Sequence, residues 1–417
     1  MTNRCSLVLL TFLAIGGTAL GQEWTRFRGP NGSGISPAST LPTQWTRKDY
    51  DWKVAIPGIG HSSPVVWKNR IFVTSFRPDN GQRIVVCLDR NDGHQLWKKI
   101  DSGEKHRKHK RNSFATSTPV VDATRLYVTW GSPSDYLVKA LDHDGKLVWE
   151  KDFGPFKSKH GFGPSPILVD DLLVLAADQD KKGYLLAVNK TDGSVKWKIP
   201  RKSGNATFST PCVFHPEGKK KEIIFTNWKR GITSVDPQTG KINWEVSCFV
   251  PTKPERAISS PVVVGDLVLG TCGFVTKQKN LVAMRPASVS KSGQPEEVWR
   301  YQDKVAYMPT PLPIGNHVFL CSERGVASCL DAQSGNVVWQ KNLANTEFYA
   351  SPVSAGKAIY CTATNGEVFV FEATTKFRPL GRMELREKVA STPAIADGRI
   401  YFRTQKHLIS IGGKSKN

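Results

Sequence analysis

The chain has 417 residues, 39% of them hydrophobic and 23% charged, a composition that excludes global disorder. Its 58 lysines and arginines outnumber 36 acidic residues, and the resulting net charge of +22 predicts attraction to polyanions. After the first residues no apolar run approaches the roughly 18 residues of a membrane-spanning helix, so we expect no transmembrane segment.

Residues 1–21 are typical of an export signal. A basic start with Arg4 precedes an apolar run over 7–15, and Ala19-Leu20-Gly21 forms a small-x-small cleavage site. We therefore expect an exported protein, periplasmic or secreted, whose mature form starts near Gln22. Cys5 precedes the apolar run instead of lying at the cleavage point, so no lipid anchor through this cysteine is predicted.

Residues 22–44 are rich in Gly, Pro and Ser and show neither helical nor strand periodicity. This composition predicts an extended lead-in that crosses the surface of the domain. Arg26, Phe27 and Arg28 are candidate anchors for this segment, although the sequence does not indicate what they contact.

A tryptophan phrase then recurs along the chain: an apolar residue, usually Asp, a short turn ending in Gly, and Trp a few residues later. Asn-Asp-Gly and similar turns accept positive φ, so each copy predicts a tight hairpin with the Trp on the returning strand. Five good copies cover 88–98, 141–150, 188–198, 235–245 and 330–340, and a degenerate one ends at 297–300.

A second phrase, Ser or Thr, then Pro, then an apolar run, recurs every 41 to 55 residues and indicates a repeat architecture. In the first repeat, segments 63–67, 71–75, 85–89 and 96–100 read as four short strands. The prolines of the eight copies are Pro64, Pro119, Pro166, Pro211, Pro261, Pro311, Pro352 and Pro393.

The two ends of the repeat region complete one another. Asp51-Trp52-Lys53 resembles the end of a tryptophan phrase without its beginning, whereas the last repeat, 391–412, lacks a Trp, and the seventh has only Met383 or Leu385 near that place. A strand around Trp52 that joins the last blade would remove the open sheet edge. We therefore predict an all-β, eight-bladed β-propeller of four-stranded antiparallel blades over 45–412, followed by a tail at 413–417.

The tryptophan phrase resembles the docking motif of propellers built from pyrroloquinoline quinone (PQQ) repeats, over roughly 45–412. In that family the tryptophans pack between blades, so the resemblance implies structural roles instead of ligand stacking. The residues concerned are Trp52, Trp97, Trp149, Trp197, Trp244, Trp299 and Trp339.

Proteins of two kinds share this repeat: PQQ- and Ca²⁺-dependent dehydrogenases, and non-enzymatic propellers such as an outer-membrane assembly lipoprotein. The dehydrogenases need a carboxylate base, oxygen ligands for Ca²⁺ and an aromatic floor beneath the quinone. This chain has no adjacent cysteines and no Cys-x-x-Cys-His segment, and it is short for the alcohol-oxidising branch. We predict no cofactor, with PQQ and Ca²⁺ implied only if the alternative, an alcohol or sugar dehydrogenase, holds.

The segments just before the Ser/Thr-Pro strands should meet at one mouth of the channel, where they contribute basic and aromatic residues and only Glu255 and Glu347 as acids. Such a mouth suits an acidic ligand or partner, although the same residues could merely satisfy loop backbones and water. The histidines lack metal-ligand spacing, so no metal site is predicted. The candidate binding residues are His61, Arg111, Asn112, His160, Asn205, Arg256, Tyr307 and Tyr349.

The densest basic run is 105–111, KHRKHKR, with a smaller one at 219–221. Two interpretations stay open: a solvated loop, or contact with an anionic envelope surface or polysaccharide; no nucleic-acid motif accompanies the charge. Cys87 and Cys329, and likewise Cys321 and Cys361, recur at matching repeat positions, which favours small buried residues over a disulfide or redox role.

These observations predict an exported cell-envelope propeller that acts as a binding or scaffolding module through its channel-mouth loops and basic surface. The expected partners are envelope proteins or an anionic envelope surface, not nucleic acid, and we expect a monomer. The physiological ligand is not indicated by the sequence.

Overall fold

A computed structural model describes residues 23–38, 41–249, 256–274 and 279–413. The predicted signal segment and most of the predicted tail lie outside the described residues. The chain forms eight sheets arranged as the blades of a propeller, which confirms the predicted fold. Two short 3-10 helices, Pro30–Gly32 and Arg47–Asp49, precede the blades. No helix among the described residues is long and apolar enough to cross a membrane.

Two strands precede the repeats, β1 (Ile35–Ser36) and β2 (Tyr50–Ala55). The first four blades contain β3 (Val65–Trp67), β4 (Arg70–Arg77), β5 (Gln82–Asp89) and β6 (Gln95–Ser102); β7 (Val120–Val121), β8 (Leu126–Gly131), β9 (Tyr136–Leu141) and β10 (Leu147–Asp152); β11 (Ile167–Val169), β12 (Leu172–Ala177), β13 (Lys181–Asn189) and β14 (Val195–Gly204); β15 (Cys212–Phe214), β16 (Glu222–Asn227), β17 (Gly231–Val235) and β18 (Ile242–Val246).

The remaining blades contain β19 (Val262–Val264), β20 (Leu267–Gly273), β21 (Lys279–Arg285) and β22 (Glu296–Tyr301); β23 (Leu312–Ile314), β24 (His317–Cys321), β25 (Val326–Asp331) and β26 (Val337–Asn342); β27 (Val353–Ala355), β28 (Ala358–Thr362), β29 (Glu367–Glu372) and β30 (Pro379–Glu384); and β31 (Ala394–Ala396), β32 (Arg399–Arg403) and β33 (His407–Ile411). Each blade runs from a short inner strand at the channel to an outer strand, largely exposed, at the perimeter.

The last blade closes the ring as predicted. Its sheet order is β2-β33-β32-β31, so the strand that carries Trp52 supplies the missing outer strand. Strand β2 pairs antiparallel with β33, and Trp52 lies opposite Ser410. Glu387 strengthens this junction because it accepts from Lys53 of β2 and from His407 of β33.

The Ser/Thr-Pro phrase forms a belt of hydrogen bonds around the channel. In seven of the eight junctions the backbone N–H of the residue before Pro donates to the hydroxyl of its counterpart in the next blade, over 2.9 to 3.3 Å. A buried N–H without a partner is costly, and Pro itself donates none, so at these seven junctions the hydroxyl satisfies the free inner edge of the blade. The members of this hydroxyl belt are Ser63, Thr118, Ser165, Thr210, Ser260, Thr310, Ser351 and Thr392.

The junction of the last and first blades lacks this link. The Ser63 hydroxyl is buried without a hydrogen-bond partner. Arg403 of β32 covers the seam instead, because its guanidinium donates to the Ser62 carbonyl and hydroxyl and to the Ser75 hydroxyl. Burial lowers the pKa of Arg403 to about 9, so the side chain stays charged at neutral pH.

The tryptophans form a second ring at the perimeter, here called the tryptophan girdle. Six of them donate their indole N–H to a carbonyl in the hairpin turn of the following blade; Trp244 turns instead to Glu222 in its own blade. The turn glycine of that blade lies against the ring: a Cβ on Gly335 would come within 2.7 Å of Trp299. The Gly of each tryptophan phrase therefore has two roles. It allows the positive φ of its own turn, and it leaves space for the Trp ring of the neighbouring blade.

The register explains the recurring cysteines. Cys87 lies opposite Trp97 and Cys329 opposite Trp339, at places that other blades fill with Ala or Ser. Small side chains leave room for the indole beside them. All seven cysteines of the described residues are buried free thiols, and burial raises the pKa of Cys87 and Cys329 to about 12.

The seventh blade differs because Gly381, not Met383 or Leu385, occupies the position of the Trp. Gly381 pairs with Val370, a larger residue than the Ala, Ser or Cys found opposite the tryptophans. The absence of a side chain lets the lead-in pass close by, and a Cβ on Gly381 would overlap the Thr43 carbonyl. Buried Trp45 packs on Phe402, with ring centroids 5.7 Å apart.

The predicted surface course of the lead-in is wrong for residues 23–36, here called the strap. The strap crosses the channel, and Trp24 and Arg28 are completely buried. It meets the inner strands of five blades: Trp24 pairs with Val66, the Thr25 carbonyl accepts from Val121, Arg26 donates to the Pro211 carbonyl, Arg28 reaches Thr310 and Pro311, and β1 pairs in parallel with β27.

Arg28 is the central anchor of the strap. Its guanidinium donates to the carbonyls of Thr310 at 2.7 Å, Pro311 at 3.0 Å and Ser33 at 3.0 Å. Burial lowers its pKa to about 9. The segment turns tightly around this side chain, because a Cβ on Gly34 would overlap the guanidinium. The guanidinium of Arg28 is thus the hydrogen-bond donor for the Thr310 and Pro311 carbonyls, which face the channel.

Candidate functional site

A pocket of about 390 Å³ occupies the channel at the end where the inner strands begin. Phe27 of the strap lines it, so the strap closes the channel beneath it. Belt residues such as Thr210 and Thr310 contribute hydroxyls, whereas Phe208, Phe274 and Met308 contribute apolar surface.

Of the eight candidate residues, six line this pocket: His61, Arg111, Asn112, His160, Tyr307 and Tyr349. The other two, Asn205 and Arg256, are not part of its lining. Arg256 is buried, donates to the Ala206 carbonyl and lies 3.7 Å from Asp180, which makes it a support for the wall.

Asn112 joins two loops of the mouth. Its amide nitrogen donates to the carbonyls of His160 at 2.8 Å and Phe162 at 3.1 Å. Its amide oxygen accepts from Thr116 and from the Ser113 backbone. Because both ends of the side chain are engaged, Asn112 positions the loop that carries Arg111.

The pocket histidines are neutral at neutral pH. Burial, with Arg403 and Lys108 nearby, lowers the pKa of His61 to about 4. Burial and the charge of Arg256 lower the pKa of His160 to about 4. His109, which stacks on His160 with ring centroids 5.0 Å apart, also has a lowered pKa because of burial and its basic neighbours.

Arg111 carries the positive charge in the lining. Its guanidinium makes an ion pair of 2.5 Å with Glu347 and lies 5.5 Å from the centroid of the Tyr349 ring. The Tyr349 hydroxyl donates to the same carboxylate. Burial and that hydrogen bond raise the pKa of Tyr349 to about 12, so the phenol keeps its proton.

The basic run at 105–111 divides between solvent and pocket. Lys105, Arg107 and Lys110 are exposed, whereas His109 and Arg111 line the pocket. The run thus has a solvated side and a side that builds the site.

Several lining residues were not among the candidates. The sequence could have indicated three of them. Phe208 and Met308 lie in segments just before a Ser/Thr-Pro strand, and His109 lies in the basic run at 105–111. Phe27 and Phe274 had no such signal, because one comes from the strap and the other directly follows β20. The contribution of the strap depends on its path through the channel.

The described lining contains no Asp or Glu. Ca²⁺ is held by oxygen ligands dominated by carboxylates, so these residues do not fit a PQQ and Ca²⁺ centre. Glu255 lies outside the described residues. Asp89, Asp92 and His94 gather in a perimeter turn, at the other end of the first blade.

The repeats, the two inter-blade rings and the channel pocket define a β-propeller of the PQQ-repeat type. The chain matches the family described as outer membrane protein assembly factor BamB over residues 80–341 and 323–412, and it belongs to that family. A curated relative, outer membrane protein assembly factor BamB of Moranella endobia (strain PCIT), is 22% identical over 319 residues. That match covers 74% of this chain and 64% of the relative, so the chain spans less than two-thirds of the relative's length.

Solved structures of both kinds of PQQ-repeat protein share this fold. BamB from Moraxella catarrhalis superposes with a TM-score of 0.59 at 12% identity, over 88% of this chain and 98% of that one. Quinohemoprotein alcohol dehydrogenase from Comamonas testosteroni gives 0.67 at 12% identity, over 96% and 82%. At such identities the superpositions establish the fold alone.

Proposed function

We propose that this protein is an exported binding module of the cell envelope, a propeller scaffold that holds a partner protein at its channel mouth. The observation that carries the proposal is the composition of the pocket. A partly apolar cavity at the channel mouth, with one engaged cation and no carboxylate in its described lining, suits recognition better than oxidation. The role named for its relatives, outer membrane protein assembly, supports an envelope protein as the expected partner.

The net charge of +22 supports this role through association kinetics. Exposed basic residues such as Lys105, Arg107 and Lys110 lie on the loop that borders the pocket. Such a rim steers acidic partners toward the mouth and makes the association rate fall as salt rises. The same rim accounts for the expected affinity for an anionic envelope surface.

Photo-crosslinking in cells tests the proposal. A photoreactive residue at Lys110, exposed at the pocket end, is compared with one at Thr191, exposed in a hairpin turn at the opposite end. We expect a discrete envelope-protein adduct from position 110 and none from 191. Adducts from 191 alone would place the partner on the other face and contradict the proposal.

The dehydrogenase alternative is tested separately. Thermal unfolding is measured with and without PQQ plus Ca²⁺, followed by dye reduction with alcohols and sugars. A ligand at about 100 times its dissociation constant stabilises the folded state by about 2.7 kcal/mol. No shift is expected; a saturable shift that needs both components, together with substrate-dependent dye reduction, would replace the binding role by catalysis.

A further inference from the structure

The charge inside the pocket is already matched by a carboxylate of the chain itself. Arg111 lies on the loop between the first and second blades, and Glu347 lies on the loop between the sixth and seventh. Their ion pair therefore bridges the mouth between distant blades. Glu347 also accepts from Tyr349, so one carboxylate engages both Arg111 and Tyr349.

This arrangement indicates the chemistry that the site accepts. Arg111 and Tyr349 line the pocket, whereas Glu347 is not part of the lining and has a side chain that is 51% exposed. Arg111 makes no second ion pair among the described residues, and its side chain is 27% exposed. A carboxylate that enters the pocket can thus reach the same cation from inside.

The rest of the lining defines the body that such an acid would carry. Phe27, Phe208, Phe274 and Met308 give apolar surface on several sides. The lining histidines, whose pKa values are lowered, add no charge at neutral pH. The cavity therefore offers one cation within a mainly apolar and hydroxyl-lined space, which matches a single acidic group on an apolar body.

We propose that the pocket binds a carboxylate attached to an aromatic or aliphatic body, and that Glu347 is an internal competitor which the ligand displaces from Arg111. Displacement opens the bridge between the two loops, so ligand binding and release of the mouth are coupled. This inference rests on the proposed binding function and names the chemistry that its mouth recognises. The acid has two possible sources, a free small molecule and the carboxyl terminus of a polypeptide.

Calorimetric titration with 2-naphthoate and its uncharged analogue 2-naphthamide tests the site. We expect the wild-type protein to prefer the acid by about tenfold, the effect of one charge-assisted hydrogen bond. Glu347→Gln removes the competitor, so the acid should bind a further roughly tenfold more tightly while the amide is unaffected. Arg111→Gln should abolish the preference for the acid.

Glu367→Gln is the matched control. Glu367 also pairs with an arginine, Arg382, that lies over an aromatic ring, Phe369, but none of the three lines the pocket. The control makes the same charge change, so an equal gain in both variants would mean general electrostatics and would overturn the proposal. Equal affinity for naphthoate and naphthamide would overturn it as well. Unfolding midpoints show whether each variant is folded. If Arg111→Gln does not fold, the affinity of Glu347→Gln for the acid tests the proposal.

A second arm distinguishes the two sources. A short peptide with a carboxy-terminal Phe is titrated as the free acid and as the amide, with the same variants. Preference for the free-acid peptide, increased in Glu347→Gln, supports a polypeptide terminus, whereas binding of naphthoate alone supports a small acid. If crosslinking at position 110 succeeds but no acid binds, this inference fails and the proposed binding of a partner protein stands. If an acid binds but no partner is crosslinked, the pocket chemistry stands and the proposed binding of a partner protein fails.

Discussion

The hydroxyl belt and the tryptophan girdle join the same blades by different physical means. The belt uses directional hydrogen bonds from backbone amides at the channel, and it is present at every junction except the seam between the last and first blades. The girdle uses large rings at the perimeter, and it varies more: Trp244 bonds within its own blade and Gly381 replaces a Trp. Packing volume can come from another part of the chain, as with Trp45, whereas an inner-edge amide needs an acceptor at one place.

The largest expected effect tests the channel side, where Arg28 holds the strap. Arg28→Met should lower the free energy of unfolding by about 3 kcal/mol or more, because three carbonyls lose a charged donor in a buried place. Urea unfolding measures the change. Arg378→Met, at an arginine whose side chain is 65% exposed, should change stability by no more than about 0.5 kcal/mol. Equal losses in the two variants would mean that the strap is not a structural anchor.

The girdle is tested through a turn glycine. Gly335→Ala and Gly293→Ala place alanine at similar positive φ, 72° and 68°, but only Gly335 has an indole, that of Trp299, within contact of the new Cβ. Backbone strain is therefore matched. We expect Gly335→Ala to cost about 1 to 3 kcal/mol more than Gly293→Ala, the usual cost of overpacking. If thermal unfolding shows equal losses of stability in the two variants, Gly335 matters only for its own turn and not for the packing of Trp299.

The hydroxyl belt contains its own control, because the hydroxyl of Ser63 has no hydrogen-bond partner. Ser165→Ala removes the acceptor of the Thr118 amide and should cost about 1 to 3 kcal/mol. Ser63→Ala removes a buried hydroxyl without a hydrogen bond and should leave stability unchanged or raise it by up to about 1 kcal/mol. Comparable losses at the two serines, measured by urea unfolding, would show that the hydroxyls act by packing and not as acceptors.

We also expect stability to depend on pH because of the pocket histidines. The pKa values of His61 and His160 fall to about 4 in the folded protein from an ordinary value near 6.5. The unfolded chain therefore binds more protons below about pH 6.5, and stability should fall as the pH is lowered from 7 to 5. His61→Asn should flatten this slope in thermal unfolding, whereas His94→Asn, at an exposed turn, should not. An unchanged slope in His61→Asn would contradict the assignment.

Local patterns determined most of the architecture. Turn chemistry and alternation within one short segment encode a hairpin, and eight repeats encode a ring, so the sequence was sufficient to predict the blades and the closing strand of Trp52. The fragments at the two ends were informative because a missing Trp and a spare Trp are visible without a structure. The cysteines were understood as small residues, and the register supplies the reason, an indole beside each of Cys87 and Cys329.

Other features depended on contacts that leave no local pattern. Arg28 bonds to carbonyls 282 and 283 residues away, and every residue has a carbonyl, so nothing in the sequence marks the acceptors. The strap consequently resembled a surface segment, and Phe27 was missed as the pocket floor. Arg256 and Asn205 lie just before Ser/Thr-Pro strands, as the other candidates do, but they are not part of the pocket lining. The position of a residue in a loop does not fix the direction of its side chain.

The sequence by itself determined the repeat, the number of blades and the way the ring closes, since these follow from short-range periodicity and from complementary ends. Only the tertiary structure decided that the strap plugs the channel, that the turn glycines accommodate the neighbouring tryptophans, and that Glu347 meets Arg111 across the mouth. Those contacts join residues that are far apart along the chain, and ring closure brings them together because each blade fixes the position of the next.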